Sequence, residues 1–399
     1  MLNLILRLLL PILLTYILGA GAWDANEKLA FWDEQRKGAN GDGGYKYDDW
    51  FEAAADFGIE FIRLSPVTWK SAGRDFLLGD ADAFERVELT DLETLKSVID
   101  VAHRHRVKVV LTMFSLPGAR WRQQNENKFD YRLWSNESFQ KQALAFWNEL
   151  AKHLRGHPAV VGYNPLNEPH PARKDGFEEG NTKGFERWMQ EHRGTSADLN
   201  RFNRRIVETI RKVDERTPII IDGWFHASPE GLSYLEPIND QAILYAFHSY
   251  GPWNYTTWRV NKGRFSYPEK MPEGWNGGTR AWTIDDLRRK NVLAVSQWAK
   301  RHNIPAKRII VEEFGCDRRV SGAKEYLSDL IRIFNEQDWH WAFYSFRSPD
   351  WDGMDYELGT AGLEWKYWKA REEGKHHEEL IQRKDNPLWE VFKRELKRR

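Results

Sequence analysis

Residues 138–169 read SFQKQALAFWNELAKHLRGHPAVVGYNPLNEP. Apolar side chains recur at 143, 146, 147, 150, 151 and 154, the spacing of one face of an α-helix. Arg155-Gly156-His157-Pro158 then stops the helix, since Gly and Pro both interrupt the repeat. Ala159 to Tyr163 is a short apolar run of the kind found in strands covered on both faces. It ends in Asn164, Asn167 and Glu168, so a buried strand delivers polar groups at its C-terminal end. Helix, tight turn, buried strand and polar end make one unit of a parallel α/β fold.

The unit repeats on both sides. Short apolar runs at 36–40, 59–64, 107–112, 160–164, 219–222, 242–249, 309–313 and 339–346 read as strands. Amphipathic stretches at 48–57, 91–105, 138–154, 197–215, 284–302 and 324–336 read as helices, and a last one at 387–399 closes the chain. Eight such strands predict an α/β (β/α)8 TIM barrel, a single domain over 23–399 with enlarged βα loops. An open doubly wound sheet would carry G-x-G-x-x-G leading into its first helix. Residues 37–44, KGANGDGG, are glycine-rich without that spacing. The charged stretch 364–384 reads as a solvated face.

Composition narrows the class. The chain has 399 residues, 41% hydrophobic and 30% charged, which excludes a disordered chain and a multi-span membrane protein. Lys+Arg and Asp+Glu both number 59, so no overall field draws nucleic acid or an acidic membrane surface. The single cysteine, Cys316, forms no internal disulfide and reads as a packed thiol. Residues 1–22, MLNLILRLLLPILLTYILGAGA, place Arg7 before an apolar run and end in Ala20-Gly21-Ala22. That is the pattern of a cleaved secretory signal, too short and Pro-interrupted for a spanning helix. The expectation is a secreted or periplasmic monomer, away from the membrane once the signal is removed.

Working residues of such barrels stand at the C-terminal strand ends. Arg63 ends the second strand, Asn167 and Glu168 follow the fourth, His248 and Tyr250 end the sixth, and Glu312-Glu313 end the seventh. Carboxylates after strands four and seven face each other across one mouth, although 145 positions apart in the chain. Such a pair suits cleavage of a glycosidic bond, with one protonated to release the leaving oxygen and one ionised to attack the anomeric carbon. Arg63 lowers the pKa of the attacking carboxylate, and Tyr250 can donate a hydrogen bond to it.

The motifs Asn167-Glu168-Pro169, His248-Ser249-Tyr250 and Glu313-Phe314-Gly315, with residues 146–164 and Ile62-Arg63-Leu64, resemble glycoside hydrolase family 5, the cellulase family of clan A. The resemblance covers most of residues 30–350. It implies a retaining β-glycosidase in which Glu168 is acid/base, Asn167 holds the sugar 2-hydroxyl and Glu313 is the nucleophile. Arg63 and Tyr250 would orient Glu313, and His248 would support Glu168 or the sugar. Glu312 should point away from Glu313 if strict alternation holds. Two positions depart from the family pattern. Phe114 stands where a His is usual, and Tyr344 or Phe346, or Trp351 beyond them, must replace a Trp after strand eight.

Trp (20) outnumbers Tyr (14), a surplus of rings that points to a ligand-facing role for some of them. Pyranose C–H faces rest on aromatic rings. Trp69, Trp121, Trp224 and Trp253, after strands two, three, five and six, are therefore candidates for the cleft. Trp147, Trp188 and Trp298 sit in helical patterns and read as core. The pairs His103/His105 and His376/His377 lack a third ligand at metal spacing and read as surface; Asp350, Asp352 and Asp355 lack a calcium-loop pattern. No metal or cofactor is expected. The leading expectation is an endo-β-1,4-glucanase acting on polysaccharide or oligosaccharide. A β-mannanase, an exo-β-glucosidase or a β-1,3-glucanase would share the chemistry. A non-catalytic sugar-binding barrel is disfavoured because both acids are present.

Overall fold

A computed structural model describes residues 27–43, 46–69, 74–274, 277–348 and 351–398. The expected signal at 1–22 and Asp350 lie outside the described residues. Eight parallel strands close into a barrel: β1 Lys37–Gly41, β2 Phe61–Leu64, β3 Lys108–Thr112, β4 Val160–Asn164, β5 Ile219–Asp222, β6 Ile243–Ser249, β7 Ile309–Phe314 and β8 His340–Phe343. Each pairs with its sequence neighbours, and β8 pairs with β1 through Lys37↔Trp341, Gly38↔Ala342 and Ala39↔Phe343. The (β/α)8 expectation is met.

The helices that cover the outside follow the predicted order: α1 Tyr47–Phe57, α2 Leu89–Arg104, α3 Glu137–Leu154, α4 Leu199–Arg211, α5 Ile284–Asn291, α6 Leu293–His302, α7 Ala323–Glu336 and α8 Trp389–Leu396. α3 buries Ala143, Phe146, Trp147, Leu150, Ala151 and Leu154, the face the sequence marked. Asn136 caps α3 by accepting from Ser138 N at 2.9 Å, satisfying one of its unpaired first-turn donors. The predicted helix 284–302 is two helices. Asn291 bonds sideways at the junction, donating to the Leu287 carbonyl at 3.0 Å and accepting from Ser249 Oγ at 2.6 Å.

The barrel interior has two layers. The lower is apolar: Phe61, Val110, Val161, Ile220, Leu244, Ala246, Ile310 and Ala342, closed from below by Trp32. Trp32 donates Nε1 to the Val161 carbonyl at 2.9 Å and meets Phe61 edge-on at 5.2 Å. Gly38 permits this packing, because a Cβ there would stand 2.6 Å from the Phe61 ring. Further along seven of the strands, polar side chains point inward: Asn40, Arg63, Thr112, Asn164, Asp222, His248 and Glu312. All seven are buried.

Some expectations fail. Strand eight ends at Phe343 rather than 346, and the chain leaves the sheet through a cis peptide between Tyr344 and Ser345. Phe346 therefore points into the core, 1% exposed, with its ring 5.0 Å from Trp50 and 6.3 Å from Trp389. It is not a cleft residue. The 364–384 stretch is not merely a solvated face. Tyr367 and His377 are buried and share a 2.6 Å hydrogen bond, while Arg383 ties Glu378 to Asp355. His377 is thus a core residue, because a helical turn at His377–Leu380 folds its ring under Tyr367. Trp147, Trp188, Trp298 and Cys316 are buried as read.

Candidate active site

The inward polar layer is organised by Arg63. Its side chain is wholly buried, and its fork spans four strands. Nη1 donates to Glu313 Oε1 at 2.5 Å and to Asn40 Oδ1 at 3.1 Å. Nη2 donates to Asn167 Oδ1 at 2.7 Å and Asn164 Oδ1 at 3.0 Å. A buried guanidinium needs its charge matched and its donors engaged; here both terminal nitrogens are bonded, and Nε has no hydrogen-bond partner and only faces Glu312. Neighbouring carboxylates raise its pKa further, against the cost of burial.

Glu313 reaches this point through a bulge. Glu312 shares the inward face of Ile310, as alternation requires, and strict alternation would then turn Glu313 outward. The register with β6 instead passes from Phe247↔Val311 to His248↔Glu313, which swings Glu313 into the mouth. The expectation that Glu312 and Glu313 face opposite sides is therefore wrong. Both meet Arg63, Glu312 Oε1 at 3.4 Å from Nε and Glu313 Oε1 at 2.5 Å from Nη1. Burial pushes the Glu312 carboxyl well above the usual range, Arg63 opposing and Asp222 adding. Glu312 belongs to the floor. On its other oxygen Glu313 accepts a 2.8 Å hydrogen bond from the Tyr250 hydroxyl. Two donors, one cationic, thus hold its two oxygens in place.

Glu168 is held differently. It sits at φ +50°, a left-handed conformation that side chains with a Cβ seldom adopt. Its amide donates to Asp222 Oδ2 at 2.9 Å, and Asp222 also accepts from Asn164 Nδ2 at 2.9 Å. Glu168 Oε1 lies 2.9 Å from His248 Nδ1. Burial above all, then the Asp222 charge, raises Glu168 to about 8, with Arg63 opposing. Burial lowers the His248 pKa, so its ring is neutral. Its Nε2 faces Asp222 Oδ2 at 3.8 Å.

An oxygen of Glu168 and an oxygen of Glu313 approach within 4.8 Å, with His248 Nδ1 in reach of both. One carboxyl is kept protonated and the other is bracketed by cation and hydroxyl. Glu168/His248/Glu313 and Asp222/His248/Glu312 are also the triads of potential metal ligands among the described residues. Arg63 already supplies a cation to Glu313 and Glu312.

Of the aromatic candidates, Phe114 and Trp121 meet edge-on at 4.9 Å, and Phe114 lies 5.7 Å from the Arg63 guanidinium. Tyr344 stands 6.5 Å from Tyr250 and 6.5 Å from the exposed Trp351, forming a wall on the opposite side. Trp253 is exposed, beneath the Arg259 guanidinium. Trp69 is partly buried, its Nε1 bonded to the Asp42 carbonyl at 2.9 Å and its ring against Phe76. Trp224 is not in the cleft. It is 1% exposed and packs on Phe185 and Trp188. Phe225, His226 and Ala227 all have positive φ, and this turn buries Trp224 while presenting His226. His226 Nδ1 lies 3.8 Å from Glu168 Oε2, and burial lowers its pKa to about 3.

Sequence reasoning missed Asn40, Thr112, Asp222 and His226, and read Asn164 only as a polar strand end. Asn40, Thr112 and Asp222 carried the same signal, a polar residue at the end of a buried strand. His226 carried none, since only the turn geometry brings it to Glu168.

The sequence model described as Cellulase (glycosyl hydrolase family 5) matches residues 28–350. The chain belongs to glycosyl hydrolase family 5. Among curated relatives, it is 34% identical over 77 residues to a β-xylosidase of Phanerodontia chrysosporium, covering 19% of this chain and 16% of that protein. It is 23% identical over 230 residues to endoglucanase C of Acetivibrio thermocellus, 57% of each chain. The chain thus spans a sixth to just over half the length of these curated relatives. Among solved structures, an endoglucanase of the hyperthermophilic Thermotoga maritima superposes with a TM-score of 0.60 at 16% identity, over 92% of this family 5 chain and 99% of the other. That likeness is one of fold. No helix among the described residues of this family 5 protein is long and apolar enough to cross a membrane.

Proposed function

We propose that this family 5 protein is a retaining endo-β-glycanase that cleaves β-1,4-glucan by double displacement. The observation that carries the reading is the meeting of Glu168 and Glu313 within 4.8 Å, with burial raising the pKa of Glu168 and Arg63 and Tyr250 bonded to Glu313. Retaining glycosidases hold their two carboxyl groups about 5–5.5 Å apart, and inverting ones leave room for a water.

In the first step the Glu313 carboxylate attacks the anomeric carbon while Glu168 gives its proton to the leaving oxygen. Arg63 and Tyr250 aim Glu313 through one hydrogen bond to each of its oxygens. Asn167, anchored by Arg63, presents its amide to the 2-hydroxyl of the sugar at Glu313. In the second step Glu168, now a carboxylate, takes a proton from water, which attacks the glycosyl-enzyme and restores the starting anomer. Phe114, Trp121, Tyr344, Trp351 and Trp253 offer ring surfaces to the sugars. β-1,4-Glucan is favoured because the endoglucanase relatives match over more than half of the chain, against 77 residues for the β-xylosidase. The protein would act as a monomer without cofactor or metal, exported through a cleaved leader at 1–22.

A fluorosugar glycoside that accumulates the covalent intermediate, followed by peptide mapping, should label Glu313. NMR of the first product should show the β-anomer. Label on another residue, or initial release of the α-anomer, would overturn the assignment.

A further inference from the structure

Two arginines on the Glu168 side of the mouth have no carboxylate partner among the described residues. Arg173, after β4, donates Nη1 to His226 Nε2 at 3.0 Å. Arg122, after β3, donates Nε to the Asn127 carbonyl at 2.9 Å. Both guanidinium carbons lie over the ring of Phe129, at 4.4 Å for Arg173 and 5.0 Å for Arg122. Two like charges are thus held on one ring, and most of their ten N–H donors are unspent. The neighbouring arginines of the same rim are treated differently. Arg120 pairs with Asp75 and Asp82, and Arg132 pairs with Asp82 and Asp130.

The place of this pair is fixed through His226. Glu168 Oε1 is engaged by His248, so Oε2 is the oxygen free to meet the glycosidic oxygen. His226 approaches Oε2 at 3.8 Å, and Arg173 lies directly behind His226. The sugar that receives the Glu168 proton therefore departs past Arg173, Phe129 and Arg122.

We propose that Arg122 and Arg173 form an anion-recognising subsite for the leaving-group portion of the substrate, which selects glycans carrying carboxylate groups there. A planar guanidinium fork matches a carboxylate with two parallel hydrogen bonds, and Phe129 offers its ring to the sugar carrying that group. The inference rests on the acid/base role of Glu168 for its orientation. Its binding component stands independently.

The test compares matched substrates. The full chain is assayed on carboxymethylcellulose against hydroxyethylcellulose, and on glucuronic-acid-bearing xylan against the same xylan stripped of its acid. Calorimetry with the Glu168→Gln protein measures binding of a glucuronate-bearing oligosaccharide, its neutral counterpart and a sulfated one. The acidic member of each pair should be preferred, in binding and in kcat/KM wherever the polymer is cleaved. The preference should shrink with added salt and fall roughly tenfold in Arg173→Ala and again in Arg122→Ala. Arg173→Lys should restore charge attraction without the full preference. Equal or weaker binding of the acidic oligosaccharide by the unsubstituted arginine pair would overturn the inference, as would a preference unchanged in Arg173→Ala. Tighter binding of the sulfated than of the carboxylated sugar would overturn the carboxylate assignment. If no polymer is cleaved but acidic sugars bind through these arginines, the glycanase reading fails and the anion site stands.

Discussion

Replacing Glu168 by Gln should change how stability depends on pH, by an amount the structure sets. The carboxyl is raised to about 8, chiefly by burial, against about 4.3 for an unfolded Glu. The folded state therefore holds a proton across this interval that the unfolded chain has released. The stabilising contribution is complete below the unfolded pKa and is lost as pH rises through the folded one. Between pH 5 and 7 that loss is about 2–3 kcal/mol, from 1.36 kcal/mol per pH unit. Gln is neutral at every pH, matches the acid in size, and can meet His248 Nδ1 through its amide. The buried histidines tilt the other way. His170 and His226 are lowered by burial to about 2 and about 3. Their contribution is present above about 6.5 and lost as pH falls through that value. They occur in both proteins and cancel in the difference. Urea unfolding of both proteins at pH 5, 6 and 7 measures that difference. The Gln variant should gain about 2–3 kcal/mol on the parent across the range. Parallel stability profiles would refute the claim that Glu168 is held protonated.

The same group sets the alkaline limb of catalysis: kcat/KM should fall as pH rises through about 8, since the acid must carry its proton. A limb below pH 6 would count against it. Tyr250→Phe removes the 2.8 Å hydrogen bond to Glu313. It should lower kcat/KM about 10- to 100-fold with unchanged thermal stability, from the worth of a bond to a charged group. Trp224→Ala should cost about 3–5 kcal/mol of stability and leave KM unaltered, because the ring is core. Trp121→Ala should do the reverse, raising KM on oligosaccharides with little loss of stability. Both are read by denaturation and steady-state kinetics side by side.

The barrel was legible because its two periods are local. The 3.6-residue repeat of 138–154 and the short apolar run of 160–164 each state a buried face without reference to the rest of the chain. Glu168, Glu313, Arg63, His248 and Tyr250 were legible for a related reason: they are polar residues at the ends of apolar runs, and closure of any such barrel gathers those ends. The errors fall where a neighbour distant in sequence decides. Strand eight stopped early because Ser345 bonds to Met354 and Phe346 to Asn40, which turned Phe346 under Trp50. Trp224 left the cleft and the unforeseen His226 reached Glu168 because three successive positive-φ residues follow Trp224, whose indole packs against Phe185.

What the sequence determined alone was the alternation of elements, the order of the strands and the strand ends that carry Glu168 and Glu313. The tertiary structure decided which of two adjacent glutamates stands over Arg63 and which lies beneath it, through a one-residue slip against β6. It also decided the raised pKa of Glu168. A pKa is a property of surroundings, and the burial, the Asp222 charge and the His248 ring that shape it come from strands far apart in the chain. Local pattern fixes where a side chain can point, and only packing fixes what it meets there.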